Sequence, residues 1–424
     1  MSDWSLREKR QLWFEKFKAP QEGGLRFGQF QDFLTATVYK YLYAFSGTRI
    51  GRIEPVATSE SQTSRSKFTQ EQERQLFATF DSNADGLIDI AEFEYLCLNW
   101  ILKVFHRSCA LVVVDVQNDF IDGSLALING PAHQDGVDVV PVINELLETC
   151  SFEAVVYTQD WHPLDHIGFH DNLHLRKYTL KREQQGCPGK PSCNGTSDTN
   201  SDGCVAASRR FRPSRLMGRA NLFDTVLFDE GKTEQKLWPV HCVQNSWGAE
   251  LHPNLKIVPN SIRILKGTRS EIDAYSAFWD NMRLCETGLR QELNTRDIND
   301  VFVCGLALDY CVAASALDAV KAGFLTFVIE DACRGIDTHE MELRKREMSE
   351  SGIVFVHSSF VPQYIDHFKA INLDSTHRCD SNTNLTNKHA EPKPLTTSTT
   401  SSALSSEFLA DICLKRALLL GNLR

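Results

Sequence analysis

The pattern of apolar and polar positions changes near residue 108. Residues 1–107 show helical periodicity broken by polar loops, with little strand-type alternation. From Ala110 onward, short β-branched runs alternate with helical segments: ALVVVD (110–115), VVYTQD (155–160), RILKG (263–267), DVFVCG (300–305), LTFVIED (325–331) and GIVFVHS (352–358). Nearly continuous apolar strands separated by helices predict an α/β fold, a doubly wound and mainly parallel six-stranded sheet with helices on both faces. An all-α module precedes it.

Shifts in composition divide the chain further. We assign the all-α module to residues 1–107, the α/β domain to 108–372 and a tail to 373–424. Residues 172–235, rich in Gly, Pro, Ser and Asn, are interpreted as an insertion. Loop thiols are favoured there over a zinc knuckle, because no CxxC pair occurs among Cys187, Cys193 and Cys204. The Ser/Thr/Asn-rich tail is predicted to be disordered, with a docking helix in its closing run FLADICLKRALLL as the alternative.

The clearest motif of the all-α module is a twelve-residue polar loop that begins at Asp81. Oxygen-bearing side chains fill loop positions 1, 3, 5, 9 and 12, and Gly86 at position 6 permits a sharp turn. This pattern is typical of an EF-hand. We therefore expect calcium to be bound by Asp81, Asn83, Asp85, Leu87 (through its backbone carbonyl), Asp89 and Glu92. The alternative is an acidic turn without metal.

EF-hands normally work in pairs, and a candidate partner lies upstream. Residues 17–30 align without gaps to residues 80–93, at an offset of 63, and Leu25 then matches Ile88. The first and last ligand positions are lost, to Lys18 and Gln29. We predict a degenerate first hand that packs against the second without holding calcium. A chance likeness between two Phe-rich helix ends is the alternative.

Charge and composition narrow the range of partners. The chain carries 45 Lys and Arg against 55 Asp and Glu, a net charge of -10, and no basic stripe suits nucleic acid. Its N-terminus lacks the apolar segment of a signal peptide, and no run approaches the ~18 apolar residues of a membrane span. We expect a cytoplasmic protein, with nuclear access left open, and no membrane partner. Its thirteen cysteines are then expected to be thiols.

Candidate chemistry lies at the carboxyl ends of the predicted strands, where parallel sheets place their sites. Asp115 ends one strand, Lys266 ends another, and Cys311 follows a third at the start of a helical stretch. Helix N-terminal amides favour a thiolate, and a Lys cation and an Asp base would activate it. Taken singly, each residue has a plain alternative as a core thiol, a helix cap or a solvated lysine. Together they predict a cysteine hydrolase.

Five short blocks stand out between residues 109 and 370. They read DVQNDF (115–120), TQDWHP (158–163), LWPVHC (237–242), KG with AYSAF (266–267 and 274–278) and GLALDYCV (305–312). In this order they resemble the nicotinamidases of the isochorismatase-like cysteine hydrolases. The resemblance implies an amidohydrolase that converts nicotinamide, a small-molecule amide, to nicotinate and ammonia through a cysteine thioester, in NAD salvage.

The resemblance also implies residue roles. The implied catalytic triad is Asp115, Lys266 and Cys311. The implied metal ligands are Asp160, His162 and His241. The implied oxyanion hole uses the backbone amides of Ala307 and Cys311, beside a cis peptide between Leu306 and Ala307. The implied substrate-ring pocket is lined by Phe120, Trp238 and Tyr310. For the metal we expect zinc first, with iron and manganese as alternatives.

Other functions stay open on the sequence alone. Another amide or N-carbamoyl hydrolase of the same fold would use the same triad, although the implied metal set favours a nicotinamidase. An isochorismatase is disfavoured, because cleavage of a vinyl ether does not need this nucleophile. A calcium-sensing adaptor with an inactive hydrolase domain would not need an intact triad. Calcium regulation of the hydrolase is a hypothesis that the fusion alone motivates, and the oligomeric state is left open.

Overall fold

A computed structural model describes residues 7–39, 68–181, 220–228, 232–366 and 406–422. Its α-helices there are α1 (Arg7–Phe17), α2 (Phe27–Leu34), α3 (Gln70–Phe80), α4 (Ile90–Leu96), α5 (Leu102–Phe105), α6 (Asn118–Ile121), α7 (Val139–Thr149), α8 (Leu289–Thr295), α9 (Ala313–Lys321), α10 (Thr338–Glu350) and α11 (Ser406–Asn422). Residues 360–366 are also helical. Turns of π-helix occupy Thr35–Tyr39, Cys97–Ile101 and Leu308–Val312.

The strands are β1 (Cys109–Val114), β2 (Ala154–Asp160), β3 (Tyr178–Leu180), β4 (Thr225–Phe228), β5 (Thr233–Lys236), β6 (Ile262–Lys266), β7 (Asp300–Leu306), β8 (Leu325–Arg334) and β9 (Val354–Val356). Short 3₁₀ turns occupy Leu127–Asn129, Gly136–Asp138, His170–Leu175 and Trp247–Ala249. None of the described helices combines the length and the apolar character that crossing a membrane requires.

Six strands form one parallel sheet in the order β6-β2-β1-β7-β8-β9. This confirms the predicted six-stranded sheet. Every residue of β1 and β7 is buried, which explains why these strands are continuous apolar runs. The chain leaves β1 toward β2 and β6, then crosses back to β7 and on to β9. Right-handed crossovers therefore put α7 on one face of the sheet and α8, α9 and α10 on the other.

The ends of the predicted insertion are more regular than the sequence suggested. Strands β3, β4 and β5 form a small antiparallel sheet in that order. Its apolar side buries Val226, Phe228 and Leu237 against Ile167. Buried and half-buried positions alternate along Thr225–Phe228, as expected for a strand with one buried face. The Gly- and Ser-rich sequence around this short run makes the strand pattern hard to recognise. Residues 182–219 and 229–231, with Cys187, Cys193 and Cys204, lie outside the described residues.

The N-terminal module contains two helix-loop-helix units, α1 with α2 and α3 with α4. Leu25 and Ile88, which the 63-residue offset equates, lie opposite each other and exchange two backbone hydrogen bonds of 2.9 Å. Gly23 and Gly86 both adopt left-handed backbone, with φ of 74° and 83°. The two loops therefore share a left-handed glycine at the same position and pair through a short antiparallel bridge.

The end of the chain departs from the predicted disordered tail. Residues 406–422 form the helix α11, with Leu409, Ile412, Cys413, Ala417 and Leu420 buried. Their three- and four-residue spacing puts them on one helix face, and that face packs into the common hydrophobic core. This packing corresponds to the docking helix that the sequence offered as an alternative for this segment. Residues 367–405 lie outside the described residues.

The centre of the sheet provides a test of the fold. The Phe302 ring on β7 stacks on Phe327 of β8 at a centroid distance of 4.6 Å and meets Tyr364 at 5.5 Å. Replacement by alanine leaves a cavity that neighbouring strands cannot close, so we expect Phe302→Ala to destabilise the α/β domain by about 3–5 kcal/mol. The control Leu343→Ala, on an exposed helix position, should change stability by less than about 0.5 kcal/mol. Equal unfolding temperatures in calorimetry would contradict this packing.

Candidate active site

Adjacent parallel strands deliver three reactive side chains to one edge of the sheet. Asp115 directly follows β1, Lys266 is the last residue of β6, and Cys311 lies in the π turn after β7. Lys266 lies beside Asp160, the last residue of β2, in the β2–β6 register. The backbone at Asp115 is left-handed, with φ of 47°, and turns the chain sharply at the strand end.

The three side chains meet inside the protein. Lys266 Nζ lies 2.8 Å from Asp115 Oδ2 and 3.3 Å from Cys311 Sγ. It also donates to the Ala274 carbonyl at 3.1 Å and to the Asp160 carboxylate. The Lys266 side chain is 0% exposed, so its charge is balanced by protein groups rather than by water. The structure thus brings together the residues that the sequence proposed as a triad.

Electrostatics set the protonation of these groups. Burial would lower the pKa of Lys266, but Asp115 and Asp160 outweigh it and hold that pKa well above its usual value. Burial raises the pKa of the Asp115 carboxyl, against the opposing effect of Lys266. Burial also raises the pKa of Cys311 well above its usual value, although Lys266 lowers it. The sequence favoured a thiolate here. Two buried carboxylates and the loss of water oppose the thiolate charge that the helix start was expected to favour.

Two polar residues that the sequence analysis left without a role hold the carboxylates in place. The Thr158 hydroxyl donates to Asp115 Oδ1 at 2.6 Å. Gln117 Nε2 donates to the Asp160 carbonyl at 2.9 Å, and Gln117 Oε1 accepts from the Asp160 amide at 2.8 Å. Both residues lie within the recognised blocks. Their roles depend on the directions in which the two side chains point at the strand ends, which the sequence does not reveal.

The expected metal ligands also cluster. Asp160 Oδ2 lies 3.6 Å from His162 Nε2 and 3.9 Å from His241 Nε2. His162 Nδ1 is 2.9 Å from the Gly267 carbonyl, and His241 Nδ1 is 2.7 Å from the Pro239 carbonyl. When Nδ1 of each ring carries the proton, both Nε2 lone pairs face the carboxylate. Two imidazoles and one carboxylate, all buried, therefore fit a divalent transition metal.

Further groups support His162. The His166 ring stacks on the His162 ring at a centroid distance of 4.0 Å, and burial lowers the pKa of His166 to about 3. Asp273 lies 3.9 Å from His166 Nε2 and accepts from Gln235 Nε2 at 2.7 Å. A neutral His166 therefore provides packing beside the metal ligands without adding a charge.

The turn that carries Cys311 has the backbone that the resemblance implied. The Leu306–Ala307 peptide bond is cis. The Tyr310 and Val312 amides each donate to the Ala307 carbonyl at 3.1 Å, which fixes the turn around Cys311. The oxyanion hole stays a prediction. Its two backbone amides, those of Ala307 and Cys311, are assigned only from their positions in this turn.

The expected ring-binding residues lie close to this centre. Trp238 meets Tyr310 edge to face at a centroid distance of 4.8 Å, and Phe120 lies 5.6 Å from the His241 ring. Tyr275, which the sequence analysis quoted without a role, adds a further wall: its hydroxyl accepts from Trp238 Nε1 at 3.2 Å. A cavity of about 490 Å³ adjoins Trp238 and Tyr310, and Phe223 of the predicted insertion borders it.

Comparisons with known proteins identify the family of this chain. The nicotinamidase of Acinetobacter baylyi is 38% identical over 248 residues, which cover 58% of this chain and 91% of that protein. The chain belongs to the nicotinamidase family. The Escherichia coli nicotinamidase is 33% identical and covers 57% of this chain and 92% of its own length. The isochorismatase domain model matches residues 212–359. A solved nicotinamidase of Acinetobacter baumanii is 38% identical, covering 60% of this chain and 99% of its own, with a TM-score of 0.45.

The metal set of this nicotinamidase family member depends on a glycine that the sequence analysis did not single out. Gly267 has φ of 62°, and a Cβ there would lie 2.3 Å from the His162 ring. We expect Gly267→Ala to displace His162 and to weaken metal binding about 10–100-fold, as measured by the metal content of dialysed protein. Gly352→Ala is a matched control, because its φ of 87° brings the same backbone strain with no atom within 4 Å. Wild-type metal content in Gly267→Ala would contradict the assignment.

Proposed function

We propose that this protein hydrolyses nicotinamide to nicotinate and ammonia through a thioester on Cys311, a step of NAD salvage. Family membership supports the reaction. The observation that carries it is the contact of Cys311 Sγ with Lys266 Nζ at 3.3 Å, beside the buried Asp115 carboxylate. This arrangement joins a nucleophile, a cation and a base.

The reaction begins with a neutral thiol. The raised pKa of Cys311 keeps its proton in place, and the raised pKa of Asp115 makes its carboxylate a stronger base than usual. Asp115 takes the thiol proton as Sγ forms a bond to the carboxamide carbon. Lys266 stays protonated and limits the cost of the developing negative charge. The backbone amides of Ala307 and Cys311 then stabilise the oxyanion.

The tetrahedral intermediate collapses by breaking the C–N bond. Asp115 returns its proton to the departing nitrogen, which leaves as ammonia, and the acyl group remains on Cys311 Sγ. Water then attacks the thioester while Asp115 accepts a water proton. The C–S bond breaks, nicotinate is released, and the proton returns to the thiol. Asp115 thus accepts a proton and gives it back twice in each catalytic cycle.

Asp160, His162 and His241 would hold the metal of this site. Zinc suits two imidazoles and a carboxylate best, and iron or manganese would also fit. When bound, such a metal supplies open coordination positions for a pyridine nitrogen or a water molecule. Phe120, Trp238 and Tyr310 enclose the aromatic ring, which directs its carboxamide toward Cys311.

A nucleophile test examines the covalent step. Cys311→Ala should lower the rate of ammonia release from nicotinamide by at least about 10⁴-fold, because no other group can carry the acyl intermediate. Cys285→Ala, at an exposed cysteine, is the matched control and should retain the wild-type rate. Full activity of Cys311→Ala would end the proposal.

The pH profile tests the base. Asp115 must be a carboxylate to accept the thiol proton, so kcat/KM should fall as pH drops through its raised pKa. The Thr158 hydroxyl bond lowers that pKa. Thr158→Val removes the bond, so the acid limb of the profile should move to higher pH. Thr149→Val, an exposed helix position, should leave the profile unchanged. An acid limb that does not move in Thr158→Val would argue for another base.

The second helix-loop-helix unit would bind calcium. Asp81 Oδ2 accepts from the Gly86 amide at 2.9 Å, and Glu92 Oε1 accepts from the Ser82 amide at 2.7 Å, so these ligands close the loop at both ends. Among the described residues, the clusters close enough to hold a metal ion all lie at the hydrolase site. The proposal of a calcium site is therefore supported by the residue types and the shape of the loop.

Calcium bound to this loop would then regulate the hydrolase. The expected result is a rate of ammonia release that differs between calcium-free and calcium-loaded protein at a fixed content of active-site metal. Glu92→Gln should abolish the difference, because it removes the bidentate ligand. Equal rates with and without calcium would contradict regulation.

A further inference from the structure

Helix α11 lies across the second helix-loop-helix unit. The Trp100 indole, in the π turn after α4, donates from Nε1 to the Cys413 carbonyl at 2.9 Å. A Cβ built on Gly421 would lie 3.5 Å from Thr79 Cγ2 on α3. Helix α11 therefore contacts the helices on both sides of the Asp81–Glu92 loop.

The same helix also contacts the α/β domain. Phe408, near its start, meets Phe360 at a centroid distance of 4.9 Å. Arg416 is 3% exposed and forms an ion pair with Asp300, the first residue of β7. Asp300 Oδ2 also accepts a hydrogen bond of 2.7 Å from the Tyr364 hydroxyl and lies 3.2 Å from Arg107 Nη1. Helix α11 thus contacts both parts of the chain. Its buried cation, Arg416, pairs with the first residue of the strand that leads to Cys311.

The chemistry of α11 is that of an EF-hand target. Most of its surface is buried, whereas Asp411 is exposed; the buried positions are Leu409, Ala410, Ile412, Cys413, Leu414, Arg416, Ala417 and Leu420. In EF-hand pairs of the sensor type, calcium binding changes the angle between the helices and exposes a groove for a target helix. Here the occupant of that position is a segment of the chain itself.

We infer that Ser406–Asn422 is the intramolecular target helix of the EF-hand pair, and that its docking is coupled to calcium binding by the Asp81–Glu92 loop. The inference rests on the calcium site proposed above. Because α11 touches α3 and the continuation of α4, a change in their angle alters the free energy of docking. Coupling between two binding events is reciprocal, so docking strengthens calcium binding by the same factor. Through Arg416 and Asp300 the docked helix also reaches β7.

The experiment uses the full chain with its active-site metal supplied. Calcium titration by calorimetry measures affinity, and hydrogen exchange measures protection of residues 406–422. We expect calcium to slow exchange in this segment. Ile412→Asp places a charge on the buried face and should weaken calcium binding by about 5-fold or more. Trp100→Phe keeps an aromatic ring and removes only the bond to Cys413, so it should act in the same direction by a smaller factor.

Asp411→Asn, on the exposed side of α11, is the control and should leave calcium affinity unchanged. Calcium binding with unchanged exchange in α11 and unchanged affinity in both variants would overturn the coupling alone. No calcium binding to the wild-type chain would overturn the calcium site and the coupling together. Ammonia release is measured separately on the same samples, so failure of the proposed hydrolysis is recognised independently.

Discussion

The charge of a lysine that no water reaches has to be balanced by the protein, and in this chain the charge of Lys266 determines how the site is built. Its ammonium contacts Asp115, Asp160 and Cys311 at one edge of the sheet. Lys266 and Asp160 end β6 and β2, and Asp115 and Cys311 follow β1 and β7, so the four groups come from four neighbouring strands of the sheet. Removal of both carboxylates would leave the buried ammonium without compensation, and an uncompensated buried charge costs about 3–5 kcal/mol. The strand order is therefore a requirement of the chemistry.

Asp160 links the two halves of the site. One of its oxygens contacts Lys266, and the other faces the Nε2 atoms of His162 and His241. A metal held there would share this carboxylate with the ammonium, so the metal set and the triad are electrostatically coupled. The same burial raises the pKa of the Cys311 thiol well above its usual value. A resting thiol of this kind is protected from adventitious oxidation, because the thiolate is the reactive form.

Much of this architecture follows from local sequence. The β-branched runs predict the six parallel strands, and the 63-residue offset predicts the pairing of Leu25 with Ile88. The helix start that favours a thiolate at Cys311 is visible in the sequence, whereas the burial beside two carboxylates that raises the pKa of this thiol is not. Thr158 was missed because its role depends on the direction of one hydroxyl. Helix α11 stood only as an alternative, since an apolar run after a long polar segment does not reveal the surface that it covers.

The covalent role of Cys311, sustained by the buried ammonium, is the central claim, and partitioning of the acyl group tests it most directly. Nicotinamide should be turned over in the presence of hydroxylamine, with both acyl products quantified. An acyl group held on sulfur is open to either nucleophile, so nicotinohydroxamate should form together with nicotinate and increase with hydroxylamine concentration. Ammonia release with nicotinate as the sole acyl product, at every hydroxylamine concentration, would contradict a thioester on Cys311.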